Sequence, residues 1–278
     1  MIRLGEIQIL HIIKKVDFGV YLSADSGEAD KVLLPQKQVP AGAKVGDEIE
    51  VFVYRDSKDR LIATTNTPKL TLHAVARVRV AQVGKVGAFL DWGLEKDLLL
   101  PYKEQTRKVS EGEECLVALY IDKSDRLCAT MNVYPYLSAD STYKKDDRVR
   151  GTVYEISNNF GAFVAVDDKY SGLIPKREFY GNVQIGDVVE ARVTGVKEDG
   201  KINLSIREKA YLQMDTDAQK VMDIIYSYDG VLPFTDKASP EVIRRETQMS
   251  KNEFKRAVGR LLKEGKIQIT ERAIRAVE

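Results

Sequence analysis

The sequence predicts a mainly β protein of three small five-stranded barrels followed by a C-terminal α+β domain. Three observations lead to this prediction. One set of landmark residues occurs three times at equal spacing. Within each copy, apolar residues follow the patterns of β-strands, and in residues 211–278 the pattern changes to the period of helices.

The repeat joins an aromatic-glycine motif, a leucine-rich stretch ending in proline, a later glycine turn and a final aspartate turn. The prolines are Pro35, Pro101 and Pro175, the glycines are Gly46, Gly112 and Gly186, and the aspartates are Asp59, Asp125 and Asp199. In every copy the glycine lies 11 positions after the proline, and the aspartate lies 13 positions after the glycine. Such regular spacing predicts three units of one fold.

Each copy is about 65 residues long, and its Val, Ile and Leu patterns predict five short strands divided by Gly, Pro and Asp turns. In the third copy we expect strands at 150–156, 162–166, 173–174, 188–196 and 201–206. Five strands of this length are expected to close into a barrel of the oligonucleotide-binding (OB) type, because closure removes exposed edges.

Domain boundaries follow from these copies. We expect barrels at 1–67, 68–134 and 143–210 and a last domain at 211–278. A unit this small buries only about 60% of its unfolded surface, so neighbouring barrels are expected to pack together, at least the first two. The polar, turn-rich segment 134–143 is expected to act as a hinge before the third barrel.

The last domain has the signals of a winged helix-turn-helix. Its first helix would bury Met214, Val221, Ile224 and Ile225. Ser239 before Pro240 starts a second helix, and the capping box from Ser250 to Glu253 starts a third, which Gly265 ends. The expected inward residues of the third helix are Phe254, Ala257, Val258, Leu261 and Leu262. Two wing strands are expected at 267–270 and 273–277.

Composition limits the possible functions. Lys+Arg 43 against Asp+Glu 42 gives a net charge of +1, so only local patches could attract nucleic acid. No stretch approaches the ~18 apolar residues of a membrane span, and we expect a cytoplasmic protein with no membrane partner. Cys115 and Cys128 are expected to be buried, reduced thiols. With only two histidines, we expect no catalytic residue, metal or cofactor.

The motif at Phe160, Gly161 and Phe163 indicates a surface for stacking bases. Side chains alternate faces along a strand, so two aromatics three residues apart share a face only where the chain bends. Glycine permits such a bend and lets a ligand come close. Strand aromatics are commonly core residues, but the threefold repetition favours two rings displayed for unpaired bases.

The three copies resemble the RNA-binding OB-fold domain first described in ribosomal protein S1. The third copy carries the resemblance at 160–163, Gly172-Leu173-Ile174, Gly186-Asp187 and Asn203-Leu204-Ser205. Together with the winged helix, the domain order resembles the conserved virulence factor B (CvfB/YitL) family of RNA-binding regulators of Gram-positive bacteria.

The resemblance implies which residues contact RNA. In S1 domains two aromatics stack bases and a basic residue entering the last strand holds phosphate. The matching aromatics are Phe160 and Phe163 in the third copy, Phe18 and Tyr21 in the first, and Phe89 in the second. The matching basic residues are Lys201, Arg126 and Arg60. A histidine of the S1 pattern is replaced by Pro175, Pro101 and Pro35.

The copies are expected to differ in binding. The third has both rings and the nearby cations Lys169, Lys176 and Arg177. The second has Val86 in place of one ring and acidic Asp91, Glu95 and Asp97. We therefore expect the third barrel to bind best and the second to be largely architectural.

Three functions remain open at this point. The leading hypothesis is a non-enzymatic regulator of gene expression after transcription, including virulence genes, that binds single-stranded RNA. The rival is a DNA-binding transcription regulator whose third helix presents Lys251, Asn252, Lys255, Arg256 and Lys263. Residues 211–278 hold 12 Lys+Arg and 11 Asp+Glu, fewer net positive charges than specific DNA modules usually carry, and this face could be merely solvated or extend the RNA surface. The third hypothesis is a protein-interaction scaffold using Trp92 and Tyr102.

Overall fold

The computed structural model describes residues 1–25, 30–178, 183–206 and 210–277, with side chains from residue 217 onward in the last of these ranges. The chain divides into two compact units, residues 1–206 and 207–278. The first unit holds the three repeat copies, and the second holds the helices.

The first and third copies each fold into a closed five-stranded barrel. In the first copy the strands are β1 Ile7–Val16, β2 Gly19–Ser23, β3 Val32–Pro35, β4 Glu48–Arg55 and β5 Leu61–Thr64. In the third they are β11 Arg148–Ser157, β12 Gly161–Val166, β13 Tyr170–Pro175, β14 Val188–Val196 and β15 Ile202–Ser205. The neighbour order is 1-2-3-5-4 within each barrel, as closure of such a sheet requires.

The second copy repeats this order, with its first strand at the centre of the sheet. Its strands are β6 Val75–Val83, β7 Gly87–Asp91, β8 Leu98–Pro101, β9 Glu114–Ile121 and β10 Leu127–Thr130. Hydrogen bonds join them as β10-β9-β6-β7-β8, and the end strands β8 and β10 pack against each other. The predicted fold class, three OB-like barrels and an α+β domain, is therefore confirmed.

The strand predicted at 173–174 is longer, since β13 runs along the whole of β12. The hairpin before the last strand differs more. β14 has nine residues where β4 and β9 have eight, and a bulge in β14 takes up the extra residue. Consequently Gly200, with φ +77°, occupies the left-handed turn position of Asp59 (φ +58°) and Asp125 (φ +56°). The sequence spacing predicted that Asp199 is equivalent to these aspartates, and this prediction is wrong by one residue.

Aromatic packing joins the first two barrels. Trp92, which is 2% exposed, packs edge-on against Phe52 and Tyr54 with ring centroids 5.6 and 6.5 Å apart. Its indole Nε1 donates a 2.7 Å hydrogen bond to the carbonyl oxygen of Lys96. The expectation that Trp92 marks an external partner surface is therefore wrong, because its ring is buried against Phe52 and Tyr54 of the first barrel. Tyr102 remains half exposed.

The segment predicted as a hinge is held against the third barrel. Tyr134–Tyr136 form one turn of 3-10 helix after the fully buried Val133. Ser138 then exchanges backbone hydrogen bonds with β13 and the turn before it, from Ser138 N to Lys169 O (2.8 Å) and from Ser171 N to Ser138 O (3.0 Å). Since the segment contributes to a shared apolar cluster between the second and third barrels, it fixes them and does not act as a free joint.

The C-terminal unit has the predicted winged helix-turn-helix with one additional strand. Its elements are α1 Ala210–Ser227, β16 Val231–Leu232, α2 Pro240–Thr247, α3 Lys251–Lys263, β17 Ile267–Ile269 and β18 Ile274–Ala276. Both predicted caps form, at Ser239 and in the Ser250 capping box. β16 pairs with β18 and widens the wing to three strands. Leu262, expected inside, is 46% exposed, and the Met214 side chain lies outside the described residues.

Several further observations concern the chemistry of the chain. Cys115 and Cys128 are buried free thiols whose pKa values burial raises to about 11. No helix in the described part of the chain is long and apolar enough to cross a membrane. Within the described ranges, no group of three or more His, Cys, Asp or Glu side chains is placed to hold a metal ion.

Candidate nucleic-acid interface

An open groove of about 300 Å³ crosses the outer face of the third barrel. Its lining comes from β11, β12, β13, β15, the turn before β15 and the connector that precedes the barrel. The lining residues are Tyr134, Tyr154, Glu155, Phe160, Phe163, Ser171, Gly172, Leu173, Lys197, Lys201, Ile202 and Asn203. The groove is therefore an aromatic and apolar floor with lysines at one side.

Gly161 brings the two predicted rings to the same face. Its φ of +120° bends the chain at the start of β12, and a Cβ there would overlap the carbonyl oxygen of Ile174. Phe160 and Phe163 consequently lie with ring centroids 6.4 Å apart at an angle of 58°. Phe160 is 62% exposed and Phe163 is half-buried, so both rings present a face to solvent.

Two lysines line the groove near these rings. Lys201 Nζ lies 2.9 Å from Asp199 Oδ2 and 5.9 Å from the centroid of the Tyr134 ring. The side-chain hydrogen bond with Asp199 is the main cause of the raised Lys201 pKa, so the ammonium is charged at neutral pH. Lys197 is exposed at the start of the same turn.

Lys197 is a departure from the other two copies. One backbone hydrogen bond identifies the equivalent turn positions. It runs from Asp56 N to Arg60 O, from Asp122 N to Arg126 O and from Lys197 N to Lys201 O. In the first two copies this first position is an aspartate whose carboxylate pairs with the arginine. In the third copy a second cation stands there, and the groove gains positive charge.

Two polar side chains stand on the groove floor, and of these Asn203 is the accessible one, because the Tyr154 hydroxyl is buried. Tyr154 is 7% exposed, and burial raises the pKa of its hydroxyl to about 12, which keeps it a neutral hydrogen-bond donor. Asn203 is half-buried on β15 and adds an amide to the lining. The Asn203 amide can add hydrogen bonds to an interaction based on stacking.

The remaining cations predicted for the third copy lie outside the lining. Lys176 and Arg177 are both exposed on the 3-10 helix Lys176–Glu178 after β13. The backbone N–H of Lys176 donates a 2.9 Å hydrogen bond to Phe160 O, which places this turn beside the first ring. Lys169 stacks over the Tyr170 ring at 5.0 Å.

The first copy displays its predicted rings, but its arginine is paired. Phe18 is 58% exposed, and Tyr21 is half-buried with Lys31 Nζ 5.2 Å from its ring centroid. Arg60 donates two hydrogen bonds to Asp56 Oδ2, at 2.6 and 2.9 Å. Lys201 of the third copy is paired with Asp199, so what distinguishes the third copy is Lys197, which stands where the first copy has Asp56.

In the second copy, residues of the first barrel form part of the lining of the equivalent groove. The lining includes Phe89 and Arg126 of the second barrel together with Tyr54, Arg55 and Asp59 of the first. Arg55 Nε donates to Asp125 O (2.8 Å), and Lys96 Nζ donates to Asp56 O (2.9 Å). Arg126 NH2 lies 3.3 Å from Asp122 Oδ2.

Negative charge in that second groove also opposes anions. Asp97 lines it, and burial, together with the charge of Asp91, raises the pKa of the Asp97 carboxyl. Arg55 and Lys96 are engaged in holding the first two barrels together, and Arg126 is paired with Asp122. The largely architectural role expected for the second barrel stays a prediction.

The third helix of the C-terminal unit presents a positive face. Asn252, Lys255, Arg256 and Lys263 are exposed on α3, and Lys251 is half-buried at its start. Their spacing places them along one side of the helix. Gly259, also exposed on α3, has no atom within 4 Å of where a Cβ would be, so the helix surface is open at its middle.

Sequence reasoning missed Lys197, Tyr134, Tyr154 and Asn203. Tyr134 belongs to the connector after the last strand of the second barrel, and Lys197 is hidden by the bulge in β14, which shifts the turn by one residue. Counting the turn from the last strand backward, and not from the glycine forward, would have revealed Lys197.

Domain families match almost the whole chain. The S1 domain family matches residues 4–66 and 74–132. The second domain of virulence regulatory factor CvfB matches residues 136–208, and the CvfB-like winged helix domain matches residues 219–275.

Full-length relatives and one solved structure agree. Conserved virulence factor B of Staphylococcus saprophyticus is 30% identical over 99% of this chain and 97% of its own length. Uncharacterized protein YitL of Bacillus subtilis is 33% identical over 95% and 91%. A crystal structure of a Streptococcus pneumoniae multidomain protein with nucleic acid binding domains is 26% identical, covers 99% of this chain and 98% of that one, and has a TM-score of 0.50. With S1 and winged-helix domains, which are of nucleic-acid-binding types, the chain belongs to the conserved virulence factor B (CvfB/YitL) family.

Proposed function

We propose that this protein binds single-stranded RNA in the groove of its third barrel and regulates gene expression after transcription. The observation that carries the proposal is the ring pair of exposed Phe160 and half-buried Phe163, which lies beside Lys197 and Lys201 in one groove. Aromatic faces accept any unpaired base, and a neighbouring cation accepts the phosphate between bases.

The shape of the groove favours a single strand over a duplex. The centroids of its two rings lie 6.4 Å apart in a groove of about 300 Å³. Bases can stack on these rings only after they leave a double helix. Duplex recognition would instead require a protruding helix or ribbon that enters a groove of the nucleic acid. The third barrel presents a depression lined by rings.

Fluorescence anisotropy with the full chain tests the proposal. The probes are a labelled 12-nucleotide oligouridylate, the oligoadenylate of equal length and a 12-base-pair DNA duplex, each titrated over a salt series. Phe160→Ala with Phe163→Ala should weaken oligouridylate binding by at least ~10-fold, because each stacked base contributes roughly 1–3 kcal/mol. Binding that is unaffected by this double substitution would refute the groove as the RNA site.

A matched pair in the first barrel serves as the control. Phe18→Ala with Tyr21→Ala removes two aromatics of similar exposure from the equivalent surface. Since Asp56 stands there in place of Lys197, we expect a smaller reduction in affinity than for the third barrel. Equal reductions would show that the barrels contribute alike and would contradict the assignment to the third. Thermal unfolding of every variant verifies that the fold is retained.

A second candidate function is duplex DNA binding through α3. The observation that favours it is the exposed face with Lys255, Arg256 and Lys263. Lys255→Ala with Arg256→Ala should weaken duplex binding and reduce the salt slope by about 0.9 for each phosphate that the protein no longer neutralises. If these substitutions leave duplex affinity unchanged while the duplex still binds more tightly than oligouridylate, α3 is not the element that binds duplex DNA.

A further inference from the structure

Tyr134 follows the last strand of the second barrel and precedes the third barrel, yet its ring lines the groove of the third barrel. The 3-10 turn Tyr134–Tyr136 carries it there from the connector. Tyr134 is 48% exposed, so about half of its surface is free for a ligand. Lys201 Nζ lies 5.9 Å from its ring centroid, which places the ring beside a cation of the groove.

One buried neighbour, a ring contact and backbone hydrogen bonds hold the turn in place. Val133 is fully buried, and the His73 and Tyr136 rings stack at 5.8 Å. Backbone hydrogen bonds from Tyr136 N to Val133 O (2.9 Å) and from Leu137 N to Tyr134 O (3.2 Å) fix the backbone on both sides of the ring. An exposed ring on a rigid turn loses little conformational entropy when it binds, and this favours a contact role.

We propose that Tyr134 is a nucleotide-contacting residue, a third stacking ring that the connector adds to Phe160 and Phe163. The RNA site is then composite, since the connector supplies a ring in a barrel whose own sequence has Pro175 where the S1 pattern has histidine. This inference rests on the proposed RNA binding. It predicts that the site extends beyond the third barrel itself.

The test uses the full chain, the 12-nucleotide oligouridylate and a salt series. Tyr134→Ala should weaken binding by about 5-fold or more, the effect of removing one stacking ring, with an unchanged salt slope. Tyr134→Phe should bind within about 2-fold of the unsubstituted protein, because the ring is retained. Tyr102→Ala is the control, since Tyr102 is 50% exposed on another 3-10 turn and lies outside the groove lining.

The salt slope separates a stacking role from mere support of Lys201. If Tyr134 acts only by holding Lys201, Tyr134→Ala will lower the slope by about 0.7, as removing one neutralised phosphate of a single strand does, and the inference is overturned. It is also overturned if Tyr134→Ala binds normally or is weakened no more than Tyr102→Ala. The Phe160 and Phe163 double variant reports separately on RNA binding itself, so a normal result for Tyr134→Ala beside a defective double variant refutes only the third ring.

Discussion

Lys197 adds a positive charge to the groove of the third barrel. The substitution Lys197→Asp introduces the residue that the other two copies have at this turn. The aspartate is expected to pair with Lys201, as Asp56 pairs with Arg60 at 2.6 Å and Asp122 with Arg126 at 3.3 Å. Lys201 Nζ already lies 2.9 Å from Asp199 Oδ2, so the substitution would remove one lysine and place a second carboxylate beside the other. Lys197→Gln removes only the first.

The expected magnitude follows from counterion release. Each neutralised phosphate on a single strand contributes about −0.7 to the slope of log association constant against log salt concentration. Between 1 M and ~0.1 M salt, this contribution strengthens binding about 5-fold. Lys197→Gln should thus bind about 5-fold more weakly with a slope reduced by ~0.7. Lys197→Asp should bind about 25-fold more weakly with a slope reduced by ~1.4.

Anisotropy titrations of oligouridylate over a series of salt concentrations give both quantities. Lys123→Asp makes the same charge change at an exposed turn of the second barrel and serves as the control. If Lys197→Asp and Lys123→Asp lower affinity equally, only the overall charge matters. That result would refute a phosphate contact at Lys197.

Three further predictions concern stability. Gly161→Ala should lower the thermal midpoint by at least ~4 °C, because a left-handed residue and a clash with the Ile174 carbonyl cost more than ~1–2 kcal/mol. Asp168→Asn should raise the midpoint at pH 7 and leave it unchanged at about pH 3, since burial raises the Asp168 pKa and the charged form is therefore costly only above its unfolded pKa. Ser250→Ala should destabilise the winged-helix unit by about 1 kcal/mol in urea unfolding, because it removes the cap of α3.

Controls are available for the first two of these variants. Gly195→Ala adds the same methyl group where no atom lies within 4 Å and should change the midpoint little, so a comparable decrease would contradict the steric explanation for Gly161. For Asp168, the Arg77 and Arg150 charges lower the pKa, while Asp167 raises it. A midpoint that falls at pH 7 in Asp168→Asn would mean that the arginine charges outweigh burial.

The repeat could be read from the sequence because the landmarks are local. Glycine before the aromatic strand, proline at the end of the next one and capped helices each follow from backbone restrictions that act within a few residues. Gly161 and the Ser250 capping box are examples, and both have the predicted geometry. The domain order that indicated the family is equally a property of the sequence alone.

Side-chain exposure at specific positions was harder to predict. Trp92 and Leu262 have the wrong predicted environments, since burial depends on which neighbouring element arrives to cover a residue. The first barrel covers Trp92, and the three-stranded wing and α1 leave Leu262 exposed. Neither outcome is visible in the local pattern.

The amino-acid order therefore determined three barrels, a winged helix and a paired-ring motif around Gly161, because short-range backbone chemistry specifies them. Tertiary packing alone decided that Tyr134 joins the groove and that Lys197 replaces an aspartate at the turn. A connector residue acquires its place only when two barrels pack, and a one-residue bulge moves a turn without changing the spacing of its sequence landmarks.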